Sequence, residues 1–144
     1  MTEDVAQDSA TRRWESLTLT DLAPIRAFIR DVTRSDGAND EAVGDLVQAV
    51  DELVCNVIEH GYGHGASGPV EVRVAHDDQR IVITIVDEAP PFDPTAYPTP
   101  DLSLPLERRP LGGMGVHLAR TLTDGMRHRI LPGGGNETTL EKRV

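Results

Sequence analysis

Apolar residues at Val43, Leu46, Val47, Val50, Leu53, Val54, Val57 and Ile58 recur at the three- and four-residue spacing of one buried helical stripe. The pattern predicts a long helix over residues 43–62, started by Asn39 or Asp40. It should stop near Gly61, where Gly-Tyr-Gly-His-Gly-Ala-Ser-Gly breaks the period. An earlier stretch with Leu22, Ile25, Phe28, Ile29 and Val32 on one face predicts a helix capped by Thr20 or Asp21 and running to about Arg34. Residues 35–39 form the turn between the two. Alternation of apolar and polar residues marks strands at 14–20 and 70–74, and 81–86 is an apolar run typical of a fully buried strand. Residues 76–79 are the hairpin turn between the last two. Gly115 to about Thr123 reads as a third helix. Strands at 126–131 and 137–142 then close a hairpin around Pro132-Gly-Gly-Gly.

The order is therefore strand, helix, helix, strand, strand, irregular segment, helix, strand, strand. Runs of neighbouring strands with helices grouped apart predict an α+β two-layer sandwich, its mixed, mostly antiparallel sheet covered by helices on one face. Residues 1–12 have low hydrophobicity, mixed charge and no period, and are expected as a disordered tail before a single domain at 13–144. Most of the chain's 10 prolines fall between Asp87 and Gly115, where aliphatic residues are few. A long irregular stretch inside a compact domain reads as a lid.

Composition narrows the function classes. The 144 residues carry a net charge of −10, which argues against a nucleic-acid or anionic-membrane surface. Aromatic residues are only 3%, so the core must be aliphatic. Cys55 is the only cysteine, so there is no disulfide framework; its place beside the apolar stripe suits a packed thiol, and a reducing cytosol fits. The first ten residues are acidic and polar, unlike a signal peptide, and no apolar run approaches a membrane span. A cytoplasmic location is expected.

Candidate chemistry sits at four places. Glu52, Asn56 and His60 step along one edge of the central stripe, four residues apart, so a carboxylate and a carboxamide can face one pocket. Any amphipathic helix has a polar edge, so this spacing gains weight only from the motifs further along the chain. Asp87 ends the apolar strand and enters Glu-Ala-Pro-Pro-Phe-Asp-Pro, where a carboxylate can accept a hydrogen bond from a ligand amino group. Pro110-Leu-Gly-Gly-Met-Gly precedes a helix, and glycines let backbone N–H groups approach an anion at a helix N-terminus. The P-loop and the eukaryotic-type protein-kinase fold both need a lysine, and the only lysine is Lys142. No glycine-rich turn follows the first strand of a βαβ unit, which removes the dinucleotide fingerprint. His60 and His64 are separated by glycines at a helix end, so they do not make a zinc pair, and no Gly-x-Ser-x-Gly elbow occurs.

Together, Glu52-x3-Asn56 with His60-Gly-Tyr62, Asp87-Glu-Ala-Pro-Pro-Phe-Asp-Pro, Gly112-Gly-Met-Gly115 and Asn136-Glu-Thr-Thr139-Leu resemble a known set. They follow the order of the N, G1, G2 and G3 boxes of the Bergerat-type ATP-binding fold shared by gyrase, the heat-shock ATPases, MutL and the sensor histidine kinases. Over residues 14–143 the chain most resembles the stand-alone bacterial anti-sigma factor serine-protein kinases of partner-switching systems. The resemblance implies ATP and Mg²⁺ as cofactors, with Asn56 holding the metal and Glu52 as general base. Asp87 would accept the adenine amino hydrogen, supported through water by Thr139. Backbone donors around Gly113, Gly115 and Val116 would cradle phosphate. His60, Ala89, Phe92, Gly112 and Met114 complete the nucleotide-binding set, and Arg108 or Arg109 would reach the γ-phosphate from the lid.

The implied activity is that of a protein serine/threonine kinase. It would phosphorylate an anti-sigma-factor antagonist and sequester a sigma factor, with no nucleic-acid or membrane partner, and a homodimer is compatible with the resemblance. The competing readings are a nucleotide-sensing binding module without kinase activity and an interaction domain with no nucleotide. One departure stands out: the G1 box usually reads Asp-x-Gly, and this chain has Ala89. A position that required positive φ would strain an alanine.

Overall fold

Strand β3 (Arg80–Asp87) lies at the centre of a five-stranded sheet, paired with β2 (Gly68–His76) on one side and β5 (Asn136–Arg143) on the other. An edge strand flanks each neighbour, β1 (Gln7–Leu17) beside β2 and β4 (Gly125–Ile130) beside β5, and every ladder is antiparallel. This is the predicted α+β class, with a sheet that is wholly antiparallel rather than mixed. The computed structural model describes residues 7–63, 67–96, 103 and 113–144.

The period of two puts Val70, Val72 and Val74, Ile81, Ile83 and Ile85, and Leu140 on one face, all essentially without solvent contact. Helices α1 (Leu22–Ser35), α2 (Asp40–Asn56) and α3 (Gly113–Leu122) accompany the sheet, and α2 packs against both of the others. The helices bring Ile25, Ile29, Leu46, Val50, Val54, Val116 and Ala119 into the same core. The opposite face is half exposed and laced with charge, including Arg73 with Glu71 and Arg129 with Glu137. Val82 and Val86 point that way too, so the apolar run of β3 is buried on one face only, with alternate residues half-buried.

Helix ends follow local chemistry. Asn39 caps α2, its Oδ1 accepting from the Ala42 N–H at 2.8 Å, with Asp40 and Glu41 in the first turn. Asp21 precedes α1, but its carboxylate bonds back to the N–H and hydroxyl of Thr18 at 3.1 and 2.7 Å, setting a 3₁₀ turn (Leu19–Asp21) ahead of the helix. The sole lysine, Lys142, donates to the Leu122 carbonyl at the end of α3 (2.9 Å) and pairs with Asp45 (3.1 Å), tying α3 and α2 to β5. Cys55 is half-buried, and burial, with Asp51, Glu52 and Glu59 nearby, pushes its thiol up to about 11.

The first strand corrects an expectation. β1 begins at Gln7, inside the stretch expected as a tail at 1–12, and ends at Leu17 rather than near Thr20. An edge strand needs only a backbone ladder, and β1 pairs with β2 from Gln7 to Leu17 although its residues are mostly exposed and polar. Residues 1–6 lie outside the described residues. The central helix ends where expected, near Gly61, but its last turn is π-helical over Val57–Tyr62, and the chain turns out at Gly63, where φ is 99°.

Candidate functional site

A cavity of about 170 Å³ opens where the end of α2 faces the ends of β3 and β5. Leu53, Asn56, Val57, His60 and Gly61 line it from the helix side, Ile85 and Asp87 from β3, Ala89 to Phe92 and Pro94 from the loop after β3, and Asn136 and Thr138 from β5. Its volume is below that of pockets holding a whole drug-sized ligand, so it suits one end of an extended molecule. The floor is apolar and a few polar groups converge on it, which is the pattern of a recognition pocket.

Asp87 is the most constrained of those groups. It is 3% exposed, and its Oδ1 accepts from the Ala89 N–H and from the Asn136 side-chain amide, both at 2.9 Å. Burial pushes its carboxyl above the usual carboxylate range, while these two donors and the nearby His128 pull in the other direction. No described residue donates to its Oδ2. Asp87 can therefore offer an acceptor to a donor arriving in the cavity.

The loop after Asp87 is latched at both ends by residues that the pattern of the sequence did not single out for this task. The Tyr62 hydroxyl donates to the Pro69 carbonyl at 2.5 Å and accepts from the Glu88 N–H at 2.8 Å. Asn136, which faces Asp87 in the β3–β5 register, donates through Nδ2 to Asp87 and to the carbonyls of Pro90 (3.1 Å) and Ala89 (3.3 Å). Its Oδ1 lies 2.9 Å from the Phe92 backbone nitrogen and 2.8 Å from His128 Nε2. The signal available in the sequence was Asn136 at the head of the last strand, directly after three glycines. At the third of these, Gly135, φ is 94° and an added Cβ would collide with the Asp87 carbonyl.

Ala89 is not strained, because no non-glycine among the described residues has positive φ. Space for its methyl group comes from across the cavity. A Cβ on Gly61 would lie 2.7 Å from the Ala89 Cβ, so the glycine in the π-turn accommodates the alanine in the loop. Both residues line the cavity, and the helix and the loop meet at that contact.

Of the residues predicted to work together, Asn56, His60, Asp87, Ala89 and Phe92 all line the cavity. Thr139 does not. It pairs with Thr84 in the β3–β5 register, with the two hydroxyls 3.4 Å apart, on the face away from the helices. Its neighbour Thr138 is the buried threonine that lines the cavity, because a single step along a strand changes the face. Glu52 is not a cavity residue either. One turn before Asn56, it lies against the start of α3, where a Cβ at Gly115 would come within 3.0 Å of its Oε2.

The expectation of a glycine loop ahead of α3 also changes. The helix starts at Gly113, so Gly113, Met114 and Gly115 make its first turn, and the side chain of Val116 is buried in the core. The backbone N–H groups of that turn are the ones a helix leaves without intrahelical partners. The residues whose backbone donors the resemblance implies for phosphate, Gly113, Gly115 and Val116, thus lie within the start of the helix. Gly112, Arg108 and Arg109 lie outside the described residues, as does most of the expected lid. His64 is also outside them. Among the described residues no cluster of three or more His, Cys, Asp or Glu side chains is placed to hold a metal, and no helix is long and apolar enough to cross a membrane.

Residues 16–142 match the histidine kinase-like ATPase domain family. The chain is similar to the serine-protein kinase RsbW of Bacillus subtilis, 29% identical over 108 residues that cover 72% of this chain and 67% of that protein. It is equally similar to the anti-sigma F factor of Clostridium beijerinckii, 29% identical over 119 residues, 78% of each chain. Among solved structures, the RsbU and RsbW domains of a Mycobacterium tuberculosis protein share the fold with a TM-score of 0.62 at 22% identity, over 93% of this chain and 32% of that one. The SiaB–SiaC complex of Pseudomonas aeruginosa contains the same fold with a TM-score of 0.59 at 12% identity, over 96% of this chain and 92% of that one. This chain thus spans about a third of the length of the first of these structures.

Proposed function

The chain belongs to the histidine kinase-like ATPase domain family, and from that premise we propose that it is an ATP- and Mg²⁺-dependent protein serine/threonine kinase. We infer that it acts as an anti-sigma factor, phosphorylating an anti-sigma-factor antagonist and sequestering a sigma factor. One observation carries the reading: α2 presents Asn56 to a cavity ended by Asp87 and, one turn earlier, Glu52 to the N-terminal turn of α3. A base-recognition end and an anion-receptive end therefore share one helix edge.

The residues present fit both groups. Asp87 Oδ2 is an acceptor suited to an exocyclic amino group, and the start of α3 suits phosphate oxygens. The Asn56 side chain lines the cavity and has no hydrogen-bond partner among the described residues, so its amide oxygen is available to a hard cation. When bound, Mg²⁺ would neutralise phosphate charge. The chain's own part is positioning: Asp87 orients the base, the start of α3 orients the phosphates, and Glu52 takes the proton of an incoming serine or threonine hydroxyl. Phosphoryl transfer depends chiefly on such positioning and on charge stabilisation.

Incubation with γ-labelled ATP, Mg²⁺ and candidate antagonist proteins, with phosphosite mapping of the products, tests the proposal. Transfer to a serine or threonine of a cognate antagonist is the expected result. Tight binding of ATP and partner with no transfer would replace the kinase by a nucleotide-sensing binding module.

A further inference from the structure

The Asn136 amide has only one orientation compatible with its surroundings. The Phe92 nitrogen is a backbone N–H and can only donate, so the atom facing it at 2.9 Å must be the amide oxygen. The opposite side faces acceptors only: Asp87 Oδ1 and the carbonyls of Ala89 and Pro90. Since Oδ1 accepts, the His128 nitrogen 2.8 Å from it must carry a hydrogen, which sets the tautomer as Nε2–H. The histidine side chain is 4% exposed, and its Nδ1 looks toward Asp93 at 3.8 Å. Both oxygen lone pairs and the amide hydrogens of Asn136 are thus engaged, within a residue that is itself 4% exposed.

Resting on the nucleotide-site reading above, we propose that Asn136 is the residue that sets base preference, and that His128 is a positioning residue that holds it. With His128 and Phe92 donating to its oxygen, Asn136 can only donate to Asp87 Oδ1; that donation and the one from the Ala89 N–H favour the ionised carboxylate, whose Oδ2 can only accept. An acceptor at that place selects a purine bearing an amino group at position 6 and rejects one bearing a carbonyl there. A reversed or absent amide would leave the buried Asp87 without one of its two donors. Its burial would then favour the protonated acid, which donates and suits a 6-oxo purine. Base preference is in this way a property of the far end of the hydrogen-bond chain as well as of the carboxylate.

The test measures binding of a non-hydrolysable ATP analogue and of its inosine counterpart to the full chain by calorimetry. Wild type should prefer the 6-amino nucleotide. Asn136→Asp removes the donor and sets a second carboxyl against Asp87, and the preference should fall at least tenfold or reverse. His128→Leu should lower it by about threefold to tenfold, the scale of one hydrogen bond, and His128→Gln, which restores an N–H donor, should recover most of it. His128→Met serves as a second apolar variant if His128→Leu does not keep a native circular dichroism spectrum. Equal weakening of both nucleotides in all folded variants, with the preference intact, would reduce the two residues to structural support and overturn the proposal alone. Wild-type protein that binds neither nucleotide would overturn the site reading and the proposal with it.

Discussion

Toward the sheet, the end of α2 faces a wall closed by buried hydrogen bonds: Asp87, Asn136 and the loop between Ala89 and Phe92 hold one another at 2.9 to 3.3 Å. Toward α3, the same helix faces a helix start across a gap that depends on Gly115 having no side chain. The first region is assembled from partners that satisfy each other, so its geometry is set before any ligand arrives. The second is built on helix-start N–H groups that have no intrahelical partners, which in the proposed reading would turn to an anion. One helix edge thus joins a rigid recognition surface to a receptive one. In the proposed reading, the first would select a base and the second would handle charge.

The largest expected effect falls on the receptive side. Glu52→Gln keeps shape and helix propensity but removes the charge that would attract a hydroxyl proton. Phosphorylation of a cognate antagonist should fall by roughly 10²–10⁴-fold while nucleotide affinity, measured by calorimetry, changes little. A wild-type rate in this variant would remove Glu52 from the catalytic role.

On the rigid side the effect should appear in binding. Asp87→Asn replaces an acceptor that is already held by two donors, and the lost charge-assisted hydrogen bond should cost about 1.5–3 kcal/mol, or about tenfold to over a hundredfold in affinity. Titration with an ATP analogue measures it, with circular dichroism as the control for folding. Unchanged affinity would mean that the cavity is not the base site.

The contact between helix and loop can be broken and remade. Gly61→Ala should overpack against the Ala89 methyl and destabilise by about 1–3 kcal/mol. Ala89→Gly in the same chain should return most of that loss, since the two residues touch and should be non-additive. Urea denaturation of the two single variants and the double variant gives the coupling, and additive losses would show that the contact is not limiting.

The smallest effect compares two neighbours on β5. Thr138→Val removes a hydroxyl from the cavity wall, and nucleotide affinity should weaken by about twofold to tenfold. Thr139→Val lies on the other face of the sheet and should leave affinity unchanged. The opposite result would place the site on the wrong side of the sheet.

Much of the architecture was legible along the chain because it rests on local periodicity. The stripe from Val43 to Ile58, the alternation in β2 and the Asn39 cap each depend on neighbours a few residues away, and the α+β class follows from their order. The cavity residues Asn56, His60 and Asp87 were legible for the same reason, since a helix edge and a strand end are local features. What the periodicity could not carry was the choice of face at a strand whose register is set by its partner. Thr138 and Thr139 are chemically alike and adjacent, and only the pairing of Thr139 with Thr84 turns one inward and the other outward. Gly61 reads only as part of a helix end until the Ala89 methyl shows it to be also a point of contact. Asn136 reads only as the first residue of the last motif, and His128 as an ordinary strand residue, until the sheet brings Asn136 to Asp87, 49 residues away along the chain, and His128 to Asn136. Local hydrogen bonding and burial period determine elements, whereas the satisfaction of a buried polar group is decided by whatever the fold sets beside it.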